Sequence, residues 1–108
     1  NSASQLVALE VLKKKNTLLP EIKEIIKERN RLYKELSKID SICTFTSDAN
    51  FILFRVKSSS KNIYQKLKSK GILIKNLDDS KLLKNCLRVT VGTKNENNTF
   101  LKTIRRIV

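Results

Sequence analysis

"NCLRVTVGTKNENNTFL", residues 85–101, is the stretch on which the reading of the fold turns. Leu87, Val89 and Val91 alternate with Arg88 and Thr90, the period-two pattern of a strand with one buried face. Gly92 interrupts the pattern, and Thr93 with Glu96 forms a T-x-x-E capping box, a helix-start signal worth about 1 kcal/mol. Phe100, Leu101, Ile104 and Val108 then lie on the inner face of a final helix. Arg88 is the oddity, because it stands in mid-strand on the face of Cys86 and Thr90. A buried guanidinium without a partner costs several kcal/mol. Arg88 must therefore pair with a carboxylate, reach water or await an anionic ligand, and the strand pattern leaves all three open.

Upstream, "NLDDSKLLKN" (76–85) reads as a polar loop, and "ILIK" (72–75) as a third strand with Ile72 and Ile74 on one face and Leu73 and Lys75 on the other. Lys75, taken alone, is an exposed lysine at a strand end. Residues 58–71 read as a short helix with Ile63, Tyr64 and Leu67 inward and Gly71 closing it. "FILFRV" (51–56) is expected to be a strand buried on both faces over its first four residues, "SDAN" (47–50) a turn, and "SICTFTS" (41–47) an alternating strand.

Before these, the period is helical. Pro20 is placed to open a long helix, where its missing N–H costs nothing. Ile22, Ile25, Ile26, Leu32, Tyr33, Leu36 and Ile39 form its stripe, and Glu21, Lys23, Glu24, Lys27, Glu28 and Glu35 its solvated side. Residues 3–15 read as a first helix, apolar around most of its circumference and so in need of cover on two sides. The order α-α-β-β-α-β-β-α predicts an α+β fold, a mostly antiparallel four-stranded sheet packed against helices.

Composition bounds the rest. A chain of 108 residues, 40% hydrophobic with one proline and two glycines, is expected to be a single ordered domain. It contains no methionine, which suggests a processed or excised piece of something longer. No apolar run approaches the roughly 20 residues that span a bilayer, and no membrane partner is expected. Cys43 and Cys86 have no metal spacing and read as buried free thiols of a cytoplasmic protein. The net charge of +13 invites a nucleic-acid reading. However, lysine outnumbers arginine seventeen to six and the charges are spread along the chain, a bias that A/T-rich codons would also produce.

Catalytic equipment is sparse. Without histidine there is no Ser-His or Cys-His pair. Gly71 and Gly92 lie too far apart for a phosphate-cradling loop, and the acidic residues sit mainly on the amphipathic helix or in turns. As an independent enzyme the chain is unequipped, no metal-binding residue is expected within it, and what remains is cationic.

"ERNRLYKELSKI" (28–39), "SDANFILFRV" (47–56), "GILIKNL" (71–77) and "NCLRVTVGTKNENNTFL" (85–101), in this order and spacing, resemble the C-terminal small domain of the histidinol-phosphate aminotransferases. These are fold-type I enzymes dependent on pyridoxal 5'-phosphate. The resemblance covers nearly the whole chain and is most specific in "ANFILFR" and "CLRVTVGT". It implies residues 20–108 as the small domain and 1–19 as a connecting helix and linker. A large upstream domain would hold the cofactor and the lysine that binds it, and the full-length enzyme would be a homodimer.

The resemblance also implies that Arg88 grips an anionic substrate group, a carboxylate of glutamate or 2-oxoglutarate or the phosphate of histidinol phosphate. Many members carry a second arginine thirteen residues earlier. Here that position is Lys75, which keeps the charge and loses the bidentate fork. Asn50 belongs to the same signature and reads as a turn residue. The implied reaction is transamination between glutamate and imidazole-acetol phosphate in histidine biosynthesis, with no activity in residues 1–108 alone. A related pyridoxal-phosphate aminotransferase or phospho-amino-acid decarboxylase is the nearer alternative. A basic α+β nucleic-acid-binding module is the more remote one.

Overall fold

Residues 15–108 are described in a computed structural model, with side chains from residue 19 onward. The predicted helix at 3–15 lies outside the described residues, apart from its last position.

The long amphipathic stripe forms α1, Lys15–Ser37. It does not start at Pro20, which lies inside the helix. The proline ring has no N–H to return to the carbonyl four residues earlier, yet the helix runs through it. The following strands are β1 (Ile42–Thr44) and β2 (Phe51–Val56). The first is shorter than its alternation predicts, although Phe45 N–H still donates to the Leu53 carbonyl at 3.0 Å. In β2 only one face is fully buried, that of Ile52, Phe54 and Val56, while Phe51 and Leu53 on the other are half-buried, against the expectation of burial on both faces. Helix α2 (Ser60–Ser69) is capped by Ser59, whose hydroxyl accepts from the Asn62 N–H. It ends where Gly71 takes φ +81°. There Gly71 N–H donates to the Lys68 carbonyl and Ile72 N–H to the Leu67 carbonyl, a closure that needs left-handed backbone.

The third strand departs from expectation. Only Lys75–Asn76 pairs, as β3. Ile72 and Ile74 do turn inward and Leu73 outward, as the alternation predicts, but they lead into the sheet rather than join it. Strand β4 (Cys86–Thr90) and helix α3 (Lys94–Ile107) follow, and the predicted capping box is present with both of its bonds.

The sheet order is β1-β2-β4-β3, every neighbour antiparallel. The β2–β4 register sets Ile52 beside Val89 and Phe54 beside Leu87, so the apolar positions of both central strands share a face. All three helices cover that face. Leu32 and Leu36 come from α1, Ile63 and Leu67 from α2, and Phe100, Leu101 and Ile104 from α3. Phe54 and Phe100 meet edge to face with ring centroids 6.1 Å apart. Each fully buried side chain of this size contributes about 1.5–3 kcal/mol, which is what holds the helices to the sheet. The described residues are thus three helices on a four-stranded antiparallel sheet, the α+β arrangement expected.

The thiols are free, but only Cys86 is buried; Cys43 is exposed. Its neighbour Ile42 faces the core, and on a strand the next side chain must point the other way. Among the described residues no helix is long and apolar enough to cross a membrane, and no cluster of three or more metal-ligating side chains occurs.

Candidate anion site

The face of the sheet away from the helices is where polar chemistry can sit. Alternation places Arg88 there, half-buried, between two neighbours. Leu53 of β2 is opposite on one side and Lys75 of β3 on the other. The geometry therefore brings together the two residues that the sequence singled out, Arg88 and Lys75, as direct cross-strand partners. Opposed residues on one face have Cβ atoms about 4.5–5.5 Å apart, and like charges there are destabilising.

Among the described residues, nothing in the ion pairing relieves this. The ion pairs join Glu28 to Arg31 and Glu35 to Lys38 and Arg105, and leave Arg88 and Lys75 out. The Arg88 guanidinium instead lies over the Phe51 ring, 4.9 Å from its centroid. Such a contact holds a cation in place without consuming its hydrogen-bond donors. Of the openings that the strand pattern left for Arg88, a partner carboxylate is not the one taken among the described residues.

Arg55 shows what a structural arginine on the same face looks like. It stacks on Phe45 at 5.6 Å. Its Nε also donates to the Lys84 carbonyl at 3.0 Å and a terminal nitrogen to the Leu82 carbonyl at 2.7 Å. Arg55 thereby ties down the 77–85 loop. Arg88 has the stacked ring and, among the described residues, no such carbonyls. Two cations opposed in register, neither of them ion-paired among the described residues, suit a carboxylate or a phosphate, with Arg88 offering a planar fork and Lys75 a point charge.

A groove of about 550 Å³ lies elsewhere, between residues 71–74 and the start of α3, and its lining includes neither Arg88 nor Lys75. It fills the space where a longer β3 would have run. Asn50, read as a turn residue, closes the 47–50 turn, and its carbonyl accepts from Val91 N–H at 2.8 Å.

Sequence reasoning missed Phe51 as the ring beneath Arg88. The signal available was register: once β2 pairs with β4, Phe51 and Arg88 are diagonal neighbours on one face. It also missed Glu28 and Asn97, which are buried polar residues. Glu28 looked like part of the solvated side of α1, and only the packing of α3 reveals otherwise.

Comparison with known proteins places this geometry in context. Residues 1–104 match the family model for aminotransferase class I and II. The histidinol-phosphate aminotransferase of Aquifex aeolicus is 40% identical over 91 residues, which is 84% of this chain and 26% of that protein. That of Caldanaerobacter subterraneus subsp. tengcongensis is 38% identical over 108 residues, 100% of this chain and 30% of that protein. The chain thus spans between a quarter and a third of the length of these relatives. Among solved structures, the histidinol-phosphate aminotransferase of Clostridium acetobutylicum superposes with a TM-score of 0.81 at 29% identity, covering 89% of this chain and 30% of that one. The L-threonine-O-3-phosphate decarboxylase of Porphyromonas gingivalis shares the fold, with a TM-score of 0.73 at 19% identity over 80% of this chain and 27% of that one.

Proposed function

The chain belongs to the class I and II aminotransferases, and we propose that it is the small C-terminal domain of a histidinol-phosphate aminotransferase. The observation that carries the reading is the opposed pair Lys75–Arg88 on the sheet face away from the core, with Arg88 held by Phe51 and left without a carboxylate among the described residues. The histidinol-phosphate aminotransferases that align with nearly the whole chain support the choice of substrate.

The whole enzyme would move an amino group between glutamate and imidazole-acetol phosphate, giving 2-oxoglutarate and histidinol phosphate. Every substrate in this exchange is an anion. Arg88 would take a carboxylate or the phosphate in its fork, and Lys75 would add a second positive charge on the same face. Charge-assisted bonds of this kind are about twice as strong as neutral ones. A pair fixed on strands orients the substrate more firmly than loop residues would.

Pyridoxal 5'-phosphate, when bound, supplies the electron sink for this chemistry. The cofactor would be held by the large domain, in the part of the relatives' length that this chain does not span. Residues 1–108 alone would then be inactive. The complete protein would be a cytoplasmic homodimer.

The test is substrate profiling of the complete protein with added cofactor. With histidinol phosphate and 2-oxoglutarate, glutamate should accumulate. Absence of glutamate, or release of carbon dioxide from a phospho-amino acid instead, would contradict the reading. Transamination by residues 1–108 alone would contradict the division of labour.

A further inference from the structure

We propose that Asn97 and Glu28 are positioning residues for Arg88: together they stand in for the missing continuation of β3 and hold the far end of the strand that carries it. The proposal rests on the reading of Arg88 as a substrate cation.

Strand β4 has two edges, and its backbone groups alternate between them. Odd-numbered residues face β2. The Asn85 carbonyl accepts from Val56 N–H at 3.0 Å, and Val91 N–H donates to the Asn50 carbonyl at 2.8 Å. Even-numbered residues face β3. The Cys86 carbonyl accepts from Leu77 N–H at 3.0 Å, and Arg88 pairs with Lys75. Because β3 begins at Lys75, the described sheet offers this edge no partner beyond Arg88. The next anchored residue on this edge is Gly92. Its N–H donates to Asn97 Oδ1 at 2.9 Å, and its carbonyl accepts from Asn97 Nδ2 at 3.0 Å. One side-chain amide satisfies both backbone groups, as a neighbouring strand would. Arg88 therefore lies between two anchors, Lys75 on one side and the Asn97 clamp on the other.

The clamp is itself fixed. Asn97 is 2% exposed, and its Nδ2 also donates to Glu28 Oε1 at 3.0 Å. An ionised carboxylate only accepts, so the amide must turn its NH₂ toward Glu28 and its oxygen toward the Gly92 N–H. Glu28 is equally buried and is gripped by Arg31 through bonds of 2.7 and 3.1 Å. The chain Arg31–Glu28–Asn97–Gly92 thus links α1 and α3 to the exit of the Arg88 strand. An ion pair with its carboxylate buried is a poor source of stability compared with apolar packing. Here it orients an amide that no apolar residue could replace.

The experiment is a double-mutant cycle in the complete enzyme, with KM for glutamate and kcat measured for Asn97→Ala, Arg88→Ala and the double variant. Asn97→Ala should raise KM about fivefold, the scale of coupling through a contiguous network, with kcat changed less than about twofold. It should add nothing in the Arg88→Ala background, because its effect passes through Arg88. An equal fold-change in both backgrounds would overturn the positioning role while leaving Arg88 as a substrate cation. An unchanged KM for Arg88→Ala would overturn the reading of Arg88 and this proposal with it. If Asn97→Ala does not fold, Glu28→Gln carries the same expectation. It keeps the shape of Glu28 but sets an NH₂ against one of its present donors, and independence from Arg88 would again overturn the role.

Discussion

Lys75 and Arg88 face each other across the β3–β4 pair, two cations in direct register on one face of the sheet. Folding gains nothing from that juxtaposition, and a site selected for stability alone would have placed a carboxylate at one of the two positions.

Lys75→Glu should therefore move stability and function in opposite directions. The carboxylate it sets opposite Arg88 would stabilise the protein by about 0.2–1 kcal/mol, read as a higher melting temperature. The same change should raise KM for the anionic substrates at least about tenfold. A fall in both stability and affinity would mean that Lys75 is a structural residue.

Phe51→Leu tests the ring beneath the guanidinium. The leucine keeps apolar cover on a half-buried position but removes the π face, a loss of about 0.5–1 kcal/mol at a partly exposed site. KM for glutamate should rise about threefold with the melting temperature nearly unchanged. The effect should vanish in an Arg88→Ala background.

Acid should destabilise the fold through three carboxyls. The Arg31 hydrogen bond holds Glu28 below the usual glutamate range, the Lys38 hydrogen bond does so for Glu35, and the Thr93 backbone N–H does so for Glu96. In each case the unfolded chain binds the proton more readily. The associated stability is thus complete above the unfolded value near about 4.3 and is lost as pH falls through the folded values. Melting temperature should be flat from neutral pH down to about pH 5 and should drop below about pH 4. Glu28→Gln should flatten part of that drop.

Thr93→Ala should cost about 1 kcal/mol, the usual value of a lost N-cap, since it removes the hydroxyl that accepts from Glu96 N–H at 3.2 Å. Gly92→Ala should disturb the same cap from the other side. A Cβ there would lie 2.8 Å from Glu96 Oε1, the atom that accepts from Thr93 N–H at 2.9 Å. Thermal melts of both variants check this.

Much of the architecture was legible because its signals are local. The alternation in 51–56 and 86–91 marked the two central strands, and the Thr93–Glu96 box marked the start of α3. What was illegible depends on partners distant in sequence. The apolar residues 72–74 look like strand, but pairing begins only at Lys75, where the backbone reaches Arg88. Pro20 looks like a helix opener, although α1 continues upstream of it. Cys43 looks buried because cysteine usually is, yet it lies on the outward side of an edge strand. The two cations of the site were visible as residue types. Their direct opposition, and the buried Glu28–Asn97 link 69 positions apart in sequence, come from register and packing, which spacing does not encode.

The central claim is that Arg88 holds a substrate anion, and the most direct measurement is steady-state kinetics of Arg88→Ala in the complete enzyme. Losing a charge-assisted bond worth about 1.5–3 kcal/mol should raise KM for glutamate by more than about tenfold, with the melting temperature preserved. An unchanged KM, with the variant folded, would remove Arg88 from the site and contradict the account.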